Sequence, residues 1–86
     1  MLLHVYSHPD LDGYQRHFVV FPYKEIPKDE IRTWCHEQFG EASPRYKPKL
    51  DTAYRWKDDI NMGEIEFANE EDMTFFVLRW GGQSSG

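Results

Sequence analysis

Four consecutive apolar residues, Phe18-Val19-Val20-Phe21, constrain this chain more than any other segment. Alternate side chains of a strand point to opposite faces, so a run that is apolar at every position needs cover on both sides. That is the environment of an interior strand. Pro22 has no N–H to donate to a ladder and marks the end of a strand expected over residues 15–22. An interior strand needs neighbours. One is expected over residues 2–7, joined through His8-Pro9-Asp10-Leu11-Asp12-Gly13, a segment dense in turn formers.

Two further strands follow from period-two alternation. Ala53-Tyr54-Arg55-Trp56-Lys57 and Glu64-Ile65-Glu66-Phe67 flank a turn over residues 58–63. Tyr54, Trp56, Ile65 and Phe67 are expected to point inward. Arg55 and Lys57 are expected outward, paired across the hairpin with Glu64 and Glu66.

Helical spacing appears twice. Pro27 suits a first helical turn, Asp29 and Glu30 sit at the positive end of the dipole, and Ile31, Trp34, Cys35 and Phe39 form one stripe. This predicts a helix over 27–39, with Gly40 as its stop. Asn69 is a good N-cap, Glu70, Glu71 and Asp72 load the next first turn, and Met73, Phe76, Val77 and Trp80 supply the second stripe. Residues 41–51, with Pro44 and Pro48, are expected to be an extended loop, and residues 83–86 a disordered tail. The economical layout is α+β in the order ββαββα. It is a four-stranded antiparallel sheet with two helices on one face, in a single domain over residues 1–82.

At 86 residues such a domain buries only roughly 60% of the surface its unfolded chain exposes, so each aromatic counts. No apolar run approaches the ~18–20 residues that cross a bilayer, so no membrane partner is expected. The first residues lack the basic and long apolar regions of a secretory signal, and the single Cys35 has no intrachain disulfide partner. Both features point to a cytoplasmic setting.

The residues offer little to catalysis. His8, Asp10 and Asp12 crowd one turn, and Asp10-Leu11-Asp12-Gly13 echoes the middle of a calcium loop. Val19, however, stands where the bidentate acid is required, so an Asx-type turn is expected and no metal. Cys35 and His36 are adjacent, and neighbours on a helix point about 100° apart, so His36 is badly placed to activate the thiol. No phosphate-binding glycine loop, metal-spaced Cys/His set or nucleophile elbow is present. Neither a cofactor nor an enzymatic activity is expected.

Two features point to binding. Residues 45–57 carry Arg45, Lys47, Lys49, Arg55 and Lys57 against Asp51, a net of +4 in a chain of net −5. Within that stripe Arg45, Tyr46, Lys47 and Lys49 are the candidate nucleic-acid contacts, bases for phosphates and an aromatic for stacking. The second feature is apolar excess. Phe18 and Val20 face away from the predicted helices, and Phe75 and Leu78 lie outside the second stripe, so these four residues are the candidate interface. A self-associating chain, or one that binds a host or viral protein, is the expectation, with a nucleic-acid module as the alternative.

The second half of the chain also resembles small proteins of tailed bacteriophages. The likeness rests on Trp34-Cys35 with Phe39-Gly40, then Tyr54-Arg55-Trp56, then Phe67-Ala68-Asn69-Glu70-Glu71-Asp72 with Phe76 and Leu78-Arg79-Trp80-Gly81. It spans roughly residues 31–81 and leaves out the N-terminal hairpin. It implies a phage or prophage accessory protein working inside a bacterial cell, and it carries no activity with it.

Overall fold

In a computed structural model of the chain, residues 3–9, 13–22, 26–44, 50–51 and 53–81 are described. The elements are β1 (His4–Pro9), β2 (Gln15–Val20), α1 (Lys28–Phe39), β3 (Trp56–Asp59), a 3-10 turn (Ile60–Met62), β4 (Glu64–Phe67) and α2 (Glu70–Trp80). The fold is α+β, and the order of strands and helices is ββαββα. All three ladders are antiparallel, and the sheet runs β1-β2-β4-β3. β2 is therefore interior, as its unbroken apolar run requires.

Register divides the side chains between two faces. Val19 stands opposite Ile65, His17 opposite Phe67, Trp56 opposite Phe67 and Asp58 opposite Ile65. This face carries the core. The Phe67 ring lies 5.4 Å from Phe39 of α1 and 5.6 Å from Phe76 of α2, so one sheet residue meets both helices. Ile31, Cys35 and Phe39 are the buried positions of α1, and Asp72, Met73, Phe76 and Trp80 those of α2. The opposite face carries Tyr6, His8, Arg16, Phe18, Val20, Glu64 and Glu66.

Capping explains where the helices begin and end. The Asn69 side chain accepts a 2.8 Å bond from the Asp72 N–H, and the acidic first turn faces the positive end of the dipole. Gly40 closes α1 at φ +84°, a left-handed value that penalises any side chain.

The third strand departs from expectation. It begins at Trp56, not Ala53, and runs on through Asp59. Asp51 explains the late start: its carbonyl accepts from Tyr54 N at 2.9 Å and its carboxylate from Ala53 N at 3.0 Å. That local turn holds residues 53 and 54 out of the ladder, while Arg55 joins it only through its carbonyl, which accepts from Ala68 N at 2.9 Å. Asp58 explains the extension, because its carboxylate accepts from Arg32 Nε at 2.6 Å and from Ile60 N at 3.1 Å.

The expected pairing of Arg55 and Lys57 with Glu64 and Glu66 is replaced by other pairs. Arg55 reaches Asp72 at 2.8 and 3.0 Å, and Lys57 bonds Asp59 at 2.7 Å. Glu66 takes a two-pronged bond from Arg16 (2.8 and 2.9 Å), and Glu64 accepts from the Tyr6 hydroxyl at 2.9 Å. β4 is interior, so Glu64 and Glu66 stand opposite Val20 and Phe18 on one side and opposite Asp59 and Lys57 on the other. The Arg16 fork takes both oxygens of Glu66, Lys57 turns to both oxygens of Asp59, and Arg55 precedes β3. Lys57, expected in solvent, is buried.

The first strand also differs, running to Pro9 where a turn was expected from His8. Asp10, Leu11, Asp12 and the tail over 83–86 lie outside the described residues. No helix among the described residues is long and apolar enough to cross a membrane. The two sheet edges differ in cover. Ser43 bridges to Lys57, its N–H bonding the Trp56 carbonyl at 2.8 Å along the outer side of β3. All six residues of β1 are exposed, and among the described residues no strand lies beyond it.

Two substitutions grade this description in denaturant titrations. Phe67→Ala should cost about 3–5 kcal/mol, the range for removing a fully enclosed ring. Asn69→Ala should cost only about 1 kcal/mol, the worth of a cap.

Candidate functional site

Cys35 is fully buried on the inward side of α1 beside Ile31 and Phe39. Burial, with the Asp58 charge adding to it, pushes the thiol well above the usual thiol range. A thiol in that state is a poor nucleophile. His36 is exposed, and its ring meets Trp56 edge-on at 5.2 Å rather than turning toward Cys35. His8 lies on β1 with its ring stacked on Phe18 at 5.3 Å. No three His, Cys, Asp or Glu residues come together in a metal-holding group among the described residues.

The basic segment is partly visible. Arg45, Tyr46, Lys47 and Lys49 lie outside the described residues. The bases that follow are engaged, Arg55 with Asp72 and Lys57 with Asp59, while Trp56 is fully buried and Tyr54 half-buried.

The candidate interface residues separate onto two surfaces. Phe18 and Val20 belong to β2, on the face with Tyr6 and His8. The expectation that Phe18 stands uncovered is corrected: it is 5% exposed, because Tyr6 stacks on it at 4.8 Å, His8 at 5.3 Å, and the Arg16 guanidinium lies 4.9 Å from its centroid. Val20 is half-buried. Partial burial and the bond to Glu64 hold the Tyr6 hydroxyl above the usual phenol range.

Phe75 and Leu78 do face solvent, 47% and 69% exposed on the outer side of α2. They are not isolated. The Phe75 ring lies 5.3 Å from Trp34 of α1, which is itself half-buried and 6.1 Å from Trp80. Aromatic surface therefore continues from one helix to the other.

Two shallow grooves border this ridge. One, of ≈ 380 Å³, is lined by Trp34 and Trp80 together with Asp29, Glu30 and Glu37 of α1. Its base is Arg79, whose guanidinium lies 4.3 Å above the Trp80 ring. The other groove is lined by Phe75, Leu78, Glu70 and Glu71. Sequence reasoning places Trp34 in the core stripe, reads Asp29, Glu30, Glu70 and Glu71 as first-turn helix charge, and gives Glu37 no role. Their meeting around an apolar ridge depends on how the two helices pack, which periodicity within either helix does not encode.

Cys35 gives a measurable consequence. A thiol whose pKa is raised in the folded state contributes stability that is fully present below its ordinary pKa of about 8.5 and lost as pH rises beyond it, since only the unfolded chain then ionises. Urea titrations at pH 7 and pH 10 should show a smaller alkaline loss for Cys35→Ala than for the native chain. Thiol reagents at pH 7.5 should label native Cys35 only as fast as the protein opens.

The chain matches no protein-family model, no curated protein and no solved structure.

Proposed function

We propose that this chain is a non-enzymatic protein-binding module that holds a basic, apolar segment of a partner against the outer side of its two helices. Both helices are taken as one layer over the Phe67 face, which leaves their outer side as a single surface. The observation that carries this reading is the continuity of Trp34, Phe75 and Leu78 with Asp29, Glu30, Glu37, Glu70 and Glu71. Fully burying a large apolar side chain is worth roughly 1.5–3 kcal/mol. Two or three such anchors at the centre of a patch are enough to dominate an interface. The carboxylates around them favour lysine and arginine and repel acidic competitors, which sets partner choice and encounter rate more than affinity.

A protein partner is preferred to nucleic acid because Arg55 and Lys57 are both in ion pairs and the helix surface is acidic. A phage-type accessory role in the cytoplasm of a bacterial host is the setting supported by the resemblance across residues 31–81.

A designed helical peptide of alternating leucine and lysine faces, compared with its leucine–glutamate counterpart, tests the reading by calorimetry. The lysine peptide should bind and the glutamate peptide should not. Phe75→Ser combined with Leu78→Ser should weaken binding at least tenfold, with circular dichroism showing the variant still folded at the assay temperature although loss of the Phe75 contacts to Trp34 and Phe39 lowers its melting point. Equal binding of the two peptides, or full binding by the double variant, would sink the proposal.

A further inference from the structure

We infer that two copies of this chain associate edge to edge through β1, joining their sheets across a two-fold axis. An outer strand presents a row of unsatisfied N–H and C=O groups, and natural sheets blunt such rows with lysine, proline, bulges or a covering segment. Among the described residues β1 has almost none of these protections. His4-Val5-Tyr6-Ser7-His8-Pro9 carries no Lys, Arg, Asp or Glu, its register with β2 runs unbroken over six pairs, and its proline stands only at the end. The strand is exposed throughout, including Val5 at 48% and Tyr6 at 43%.

The two-fold self-complementarity of an antiparallel strand pair makes a second copy the occupant, and charge says where on the surface it sits. The chain has a formal net charge of −5, so two copies repel over most of their surface. The helix side carries five named carboxylates against Arg79 and the Asp29-paired Arg32, so two copies meeting there bring an excess of like charge together. β1 is a stripe without formally charged side chains, where that penalty is smallest. An antiparallel pair about a two-fold is self-complementary, each strand supplying the groups the other lacks. With the axis at Tyr6, that ring stands opposite its counterpart on one face, and on the other Val5 stands opposite Ser7 and diagonal to Val5 of the second copy.

The contact is separate from the helix surface, so the two ideas fail independently. One six-residue strand buries less than the ~1,200 Å² of a standard interface, so a dissociation constant on the order of 100 µM is expected. Sedimentation equilibrium of the full chain up to about 1 mM, ten times that value, should show a monomer–dimer equilibrium. Val5→Lys, which sets lysines near one another across the axis, should raise the dissociation constant at least tenfold with an unchanged melting temperature. The Phe75→Ser, Leu78→Ser variant should dimerise normally. A nitroxide on Val5→Cys, with buried Cys35 unlabelled, should report an intermolecular distance within about 20 Å, the length of six residues at roughly 3.4 Å each. A strict monomer at the highest concentration, a dimer lost in the Phe75/Leu78 variant, or a label distance well beyond that length would each overturn the inference.

Discussion

The contact between Phe67 and the rings above it is the point on which the remaining structure depends. Phe67 is the last residue of β4, an interior strand, and it touches Phe39 near the end of α1 and Phe76 in the middle of α2. Edge-to-face and tilted ring pairs add about 0.5–1.5 kcal/mol each beyond the area they bury. In a chain this small, with stability of only a few kcal/mol, that is a large share. The aromatic network continues through Trp34, which meets Phe39, Phe76, Phe75 and Trp80 within 6.1 Å, so it reaches from the sheet to the solvent side of the helices. The ridge proposed for binding is the outer end of the same network that holds the fold.

The second constraint is electrostatic. Asp58, Glu66, Asp72 and Lys57 are all buried, and each has a partner of opposite charge: Arg32, Arg16, Arg55 and Asp59. Buried ion pairs add little net stability, since desolvation offsets most of the attraction, but leaving one member without its partner is costly. Their effect is therefore on register. A one-residue slip of β3 would carry Asp58 to the opposite face, away from Arg32, and turn Lys57 into the aromatic core. The charges exclude that alternative together with Trp56, which the same slip would turn out of the core.

How much of this was legible in the sequence depended on whether the cause was local. β2 could be placed inside the sheet because Phe18 to Phe21 are apolar at every position, and α2 because Asn69 and the acids after it are a local signature. The start of β3 is misplaced because alternation at Tyr54 and Arg55 resembles a strand, while the turn that holds Ala53 and Tyr54 out of the ladder depends on bonds to the carboxylate and carbonyl of Asp51. Phe18 was expected on an open surface because strand periodicity says which way a side chain points, not that Tyr6, His8 and Arg16 will close over it. Among the candidate binding residues, Phe75 and Leu78 were visible as apolar positions off the helical stripe. Their acidic surroundings are not, since Glu37 and Glu71 are distant in sequence and border the ridge in separate grooves only once the helices pack.

The unequal cover of the two sheet edges has a consequence for how far assembly can go. Strand-edge pairing in a sheet with two open edges has no natural end, since every addition regenerates a free edge and the product is a filament. Here Ser43 lies along β3 with its N–H on the Trp56 carbonyl. If two copies pair through β1, cover on the β3 side leaves the sheet no second edge to extend from, and the product has closed symmetry. Ser43, ahead of Pro44, is the described part of that cover, bridged to Lys57.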